Sequence, residues 1–172
     1  MSEFELLHRS AIKTNSSRAS DAFSLKALPE STIIHVLGRP CQDLNVRLQQ
    51  RFAADYAVRF FGPGQWLVVK DEETSTAELA AMVSEIHPEA FAVDQSHGRV
   101  RLEIDGSAAR AVLAKGTAVD LDGMELGGSA TTLMGHISVH ITRTGQNRFE
   151  LIVLRGFAQS LWDEITHLSA EF

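Results

Sequence analysis

His136 and His140 are the first residues whose type and spacing suggest chemistry, because histidines four apart on a helix face can share one zinc ion. The segment around them, residues 130–142, is rich in β-branched residues and alternates apolar with polar positions, which predicts one long strand. On such a strand His136, Ser138 and His140 share a face, and the imidazoles stand about 13 Å apart at ~3.3 Å per residue. That is too far to chelate one metal, so a polar sheet face or a subunit contact is expected. Asp71, Glu72 and Glu73 resemble an acid–base cluster, but they precede a helix start marked by Ser75 and Glu78, where negative charge is favoured by the helix dipole. A solvated role is expected for them. Asp120, Asp122 and Glu125 lie in a glycine-rich loop, where Gly123, Gly127 and Gly128 have the wrong spacing for a phosphate-binding fingerprint and no Lys-Ser/Thr follows. No partner base stands at a defined distance from them. No serine occupies a G-x-S-x-G elbow, and Cys41, alone in the chain, lies beside Pro40. The sequence therefore assigns no catalytic, cofactor-binding or metal-binding residue to this chain.

The elements that must position these residues follow from composition and periodicity. At 172 residues and 44% hydrophobic content, the chain can bury a core without disulfide or metal staples. A formal charge of −6 argues against a nucleic-acid surface, which normally needs a basic stripe. The N-terminus has no apolar core of signal-peptide length and no run approaches a membrane span, which predicts a cytoplasmic protein.

Residues 1–30 are serine-rich without sustained periodicity and read as a flexible arm, with scattered Phe4, Leu6, Leu7, Ile12, Phe23 and Leu25 as possible contacts to a partner. Residues 31–97 read as one half. A strand at 31–38 precedes a helix at 43–54 carrying Leu44, Leu48 and Phe52 on one stripe, and two strands at 57–61 and 65–69 flank the Gly62-Pro63-Gly64 turn. A helix after Ser75 carries Leu79, Met82, Val83 and Ile86, and Phe91 and Val93 mark a last strand. The order βαββαβ is that of a ferredoxin-like unit.

Residues 98–172 repeat the theme as βαββα. Val100, Leu102 and Ile104 alternate with Arg101, Glu103 and Asp105, Gly106 breaks the strand, and Ser107 is the expected N-cap of a helix with Ala109, Val112 and Leu113. After the long strand, residues 145–148 turn the chain into a strand at 149–154. Phe157, Leu161, Ile165 and Leu168, with Trp162 beside them, form the final helix. Trp66, Trp162, Phe60 and Phe61 are expected to be mainly core. The fold class is α+β, with two packed ferredoxin-like halves.

Taken together, LEIDGSAARAVLAKGTAVDL, the following GMELGGSATTL, RFELIVLRGFAQSLWDEI and the earlier GPGQWLVV hairpin resemble the gamma subunit of heterotetrameric sarcosine oxidase. More distantly, the second half is similar to the folate-binding aminomethyltransferase superfamily. The resemblance implies an aminomethyltransferase-like folate-binding fold and a complex that oxidatively demethylates sarcosine to glycine with tetrahydrofolate and oxygen. It places FAD, FMN, NAD, tetrahydrofolate and zinc in partner alpha, beta and delta subunits, with no cofactor in this chain. The distant relatives hold the pterin with a glutamate in a Thr-Gly-Glu turn; here the turn reads Thr144-Gly145-Gln146, and the preceding strand, 133–143, has no carboxylate. An amide cannot replace a charge-assisted bidentate acceptor, so the resemblance implies a lost folate site and a non-catalytic, stabilising subunit. The rivals are a stand-alone folate-dependent one-carbon transferase using Asp120 or Glu150, and a homodimeric small-ligand binding module.

Overall fold

The computed structural model describes residues 9–13, 17–39 and 42–172, so Cys41, Pro40 and the apolar residues Phe4, Leu6 and Leu7 lie outside the described residues. The strands are β1 (Ser17–Ala19), β2 (Ser24–Ala27), β3 (Thr32–Gly38), β4 (Ala57–Gly62), β5 (Gln65–Lys70), β6 (Ala90–Asp94), β7 (Arg99–Asp105), β8 (Ser129–Met134), β9 (Ile137–Arg143) and β10 (Arg148–Leu154). The helices are α1 (Gln42–Phe52), α2 (Thr76–Ile86), α3 (Ala109–Gly116) and α4 (Ala158–Leu168). Two antiparallel sheets result, ordered β4-β5-β3-β6 and β1-β2-β7-β10-β9-β8. None of the described helices is long and apolar enough to cross a membrane.

The first sheet, with α1 and α2, has ferredoxin-like order. Ile34, Val36, Trp66 and Val68 face Leu44, Leu48, Phe52, Met82 and Ile86 in one core. The capping box forms as the sequence predicts: Ser75 accepts the Glu78 N–H, and the Glu78 carboxylate accepts the Ser75 N–H.

The second sheet solves a problem that its own sequence leaves open. A βαββα unit lacks the fourth strand that should lie beside its first, and β2 takes that place, pairing Leu25 with Ile104 and Ala27 with Leu102. Residues 17–19 and 24–27 are thus strands of the sheet, not a free arm. Phe23 and Leu25 are buried among Leu102, Ile104, Leu113, Phe149, Leu161 and Trp162 because the apolar face of β7 needs covering on that side. Gly106 marks the crossing: its φ is +121°, and a Cβ there would sit 2.4 Å from the Ala22 carbonyl oxygen.

Three local expectations are corrected. Residues 130–142 form a hairpin, β8 and β9, joined at Gly135-His136, with Gly135 at φ +58° supplying the left-handed turn that the alternation concealed. Ser107 is not the cap of α3; Ala108 occupies that position without a side-chain bond, and the Asp105 carboxylate instead accepts the Gly106 N–H at 2.8 Å. Phe157 precedes α4 in a short 3-10 turn and is exposed, as is Phe60, whereas Trp66 and Trp162 are core.

The sheets pack face to face through Ile33, Leu67 and Val69 on one side and Ile152 on the other, with Phe61 at the margin. On the charged face of β7, Arg101 therefore meets a second sheet in place of solvent and is 5% exposed, while Glu103 and Asp105 pair with Lys26 and Arg148.

Candidate functional site

Strand alternation fixes which side chains enter the layer between the sheets. On β10, Phe149, Leu151 and Val153 pack towards the helices, so Glu150 and Ile152 point the other way. By the same period Arg99 and Arg101 on β7, Arg59 on β4 and His140 on β9 face the layer. Glu150 is the centre. Its Oε1 accepts from Arg59 Nη1 at 2.6 Å and Arg101 Nε at 2.8 Å, and its Oε2 accepts from Arg59 Nη2 at 3.2 Å and Arg101 Nη2 at 2.7 Å. Arg101 Nη2 also donates to Asp71 Oδ1 at 2.6 Å, so Asp71 is tied to the layer although its side chain stays largely in solvent.

Burial by itself would push the Glu150 carboxyl up, but the hydrogen bonds and charges of Arg101 and Arg59 outweigh it and hold the group at about 2. Arg101 is affected first by burial, which lowers it, and is nonetheless raised overall by Glu150 and Asp71. With all four in-plane acceptor positions used and the charge locked, Glu150 is a poor proton acceptor near neutral pH. The cluster opens on a cleft of 440 Å³ that Lys70, Asp71 and Arg148 also line.

His140 is 1% exposed and bonds through Nε2 to the Phe60 carbonyl at 3.0 Å. Burial lowers its pKa to about 4, so near neutral pH Nε2 carries the proton and donates it, while Nδ1 has no partner. The ring stacks on Phe61 with centroids 5.6 Å apart, and His35 tilts against that same phenyl ring at 5.0 Å. Burial and then the charge of Arg99 lower His35.

His136 is exposed in the β8–β9 turn, away from the buried His140. Among the described residues no group of three or more His, Cys, Asp or Glu is arranged to hold a metal. In the glycine-rich loop, Asp120 accepts the Gly123 N–H at 3.0 Å, Asp122 pairs with Arg110 at 2.8 Å, and the Glu125 carbonyl accepts the Gly128 N–H at 2.9 Å. These contacts fold the loop and do not converge on one point. In the Thr144-Gly145-Gln146 turn, the Gln146 carbonyl accepts from Arg110 and Arg143. Sequence reasoning passed over Arg59, Arg101 and the role of Asp71; the signal was a lone charge within an apolar strand, as in Phe149-Glu150-Leu151 and Val58-Arg59-Phe60.

Paired ferredoxin-like units sharing a polar inter-sheet layer define an α+β protein with the aminomethyltransferase type of fold. Glycine cleavage system aminomethyltransferase T from Bartonella henselae is similar with a TM-score of 0.63 at 18% identity, over 84% of this chain and 45% of that one. Heterotetrameric sarcosine oxidase from Corynebacterium sp. U-96, solved in complex with pyrrole 2-carboxylate, contains a chain similar with a TM-score of 0.78 at 20% identity, over 91% of this chain and 89% of that one. The family model for the sarcosine oxidase gamma subunit matches residues 30–171, and the chain belongs to that family. No curated protein matches the chain significantly.

Proposed function

We propose that this chain is a non-catalytic gamma subunit that stabilises a heterotetrameric sarcosine oxidase. The oxidative demethylation of sarcosine to glycine, with tetrahydrofolate and oxygen, takes place on the larger partner chains. The alpha, beta and delta subunits carry FAD, FMN, NAD, tetrahydrofolate and zinc, and the assembly is cytoplasmic. The observation that carries this reading is the state of Glu150: the carboxylate held deepest in the layer has every acceptor position filled by Arg59 and Arg101. A side chain so engaged ties two sheets together and leaves little for proton transfer. The exposed apolar residues Leu37, Phe91 and Val93, with Phe91 directly across from Leu37 in the β3–β6 pair, support burial against a larger chain.

The test is affinity capture of the tagged chain from its native cell extract, recording flavin absorbance and subunit masses together. A yellow eluate with two larger chains and one smaller chain is expected. A colourless eluate of this chain alone, with stoichiometric tetrahydrofolate binding, would support a stand-alone transferase instead.

A further inference from the structure

The layer between the sheets is filled in its middle and bare at one end. Arg101, Ile152 and His140 form one inward row across β7, β10 and β9, and none is more than 5% exposed. Two residues further along the strands, the next row on the same face is Arg99, Leu154, Ser138 and Leu133, by the pairings Arg99–Leu154 and Leu133–Ser138 and by one step past Val153–Val139. In that row Leu154 is 44% and Leu133 55% exposed. The facing sheet changes in the same way. Ile33 on β3 is 1% exposed, whereas Leu37, on the same face of that strand, is 36% exposed, and Phe91 and Val93, across from Leu37 and His35, are 72% and 46% exposed.

Phe61 joins the two bare walls. Arg99 lies over its ring, His35 tilts against it, and Thr131, two residues before Leu133, donates its hydroxyl to the Phe61 carbonyl at 2.6 Å. Single exposed leucines need no explanation, but here core-facing positions of both sheets are left uncovered at the same place. One cation stands among them. Phe61 covers one face of the Arg99 guanidinium with its centroid 5.3 Å away, Nε is buried without an acceptor, and Nη1 and Nη2 hold no hydrogen bond among the described residues. Glu150 and Asp71 neutralise Arg101, but no carboxylate among the described residues pairs with Arg99. Burial lowers His35 and His140 below their ordinary values, so near neutral pH the positive charge here is that of Arg99. A surface of this kind is complementary to apolar side chains grouped around one carboxylate.

Resting on the reading of this chain as a subunit, we propose that the bare end of the layer receives a partner subunit, through a segment that lays apolar side chains on Leu37, Phe91, Val93, Leu133 and Leu154 and sets one carboxylate against the edge of the Arg99 guanidinium. Apolar contact supplies the area. The ion pair fixes the register, because a carboxylate set elsewhere on the strip would lose water without gaining a partner.

The experiment is capture of the flavin-bearing partner subunits, identified by peptide mass, on tagged variants of this chain expressed in place of the native one. Phe91→Ser and Leu154→Ser should each lower the flavin captured per chain by about tenfold or more, with the thermal midpoint of the isolated chain unchanged because both side chains are exposed. Leu126→Ser and Val46→Ser, at positions 71% and 50% exposed and outside the strip, should capture as the wild type does. Arg99→Glu should capture less than Arg99→Gln, since it opposes the partner's carboxylate. Should the Arg99 variants fail to fold, Phe91→Ser and Leu154→Ser decide. Undiminished capture by both, with the wild-type chain bringing down its partners, would overturn the proposal and leave the subunit reading standing. The same holds if Phe91→Ser abolishes a homodimer of the isolated chain and spares partner capture, which would give the strip to a second copy. Absence of flavin subunits from the wild-type eluate would overturn the subunit reading and the proposal with it.

Discussion

Arg59 and Glu150 stand 91 residues apart in sequence and meet in a bidentate contact of 2.6 and 3.2 Å between the two sheets. Because Arg101 completes the group, one carboxylate is shared by two guanidiniums that are themselves only 8% and 5% exposed. Removing the anion leaves two buried cations facing each other. Glu150→Ala should therefore lower stability by about 3–5 kcal/mol, the usual cost of breaking a buried pair from one side. Urea denaturation followed by tryptophan fluorescence checks this, and a change under about 0.5 kcal/mol would mean that water reaches the layer and screens it.

Acid should destabilise the fold in two stages. His140 is held at about 4 in the folded chain against 6.5 ordinarily, so the unfolded chain binds the proton more tightly. Its contribution is complete above pH 6.5 and is lost as pH falls towards 4. Glu150 is held at about 2 against 4.5, so its contribution is present above pH 4.5 and is lost between there and 2. Each shift corresponds to roughly 3 kcal/mol at most. Unfolding free energies measured across pH should show the upper stage flattened in His140→Gln and the lower stage flattened in Glu150→Gln.

Leu25→Ala should cost about 2–5 kcal/mol, the penalty for emptying a fully buried leucine site. Leu25 is 0% exposed and pairs with Ile104. An unchanged thermal midpoint would show that β2 is a detachable arm in solution.

Trp162→Ala should cost about 3–5 kcal/mol for the same reason, since Trp162 is 4% exposed among Leu113, Leu161 and Ile165. A midpoint that does not move would put this side chain at the surface.

What the sequence made legible was local. The capping box at Ser75 and Glu78, the Gly62-Pro63-Gly64 turn and the alternation of Val100, Leu102 and Ile104 each follow from neighbouring residues, and each has its expected place in the fold. Alternation also showed that Arg101 lies opposite an apolar face, but not that another sheet covers it. That covering joins Arg59 to Glu150, 91 positions apart, which no local period encodes. Gly135 escaped notice because β-branched residues on both sides of it read as one strand, and that error displaced His136 from the face assigned to it. The sheet place of β2 was hidden because the serines around it resemble those of a flexible terminus, while within the strand Leu25 alone is buried.

The central claim is that Glu150 and its arginines hold this subunit together and take no part in turnover. Its most direct test is turnover per assembled flavin in the complex purified with Glu150→Gln in this chain. The expected result is a lower yield of complex with a kcat within about twofold of wild type, since a structural group alters how much complex forms and not how each copy reacts. A normal yield of complex with kcat reduced by about a hundredfold or more would contradict it and make Glu150 a participant in the chemistry.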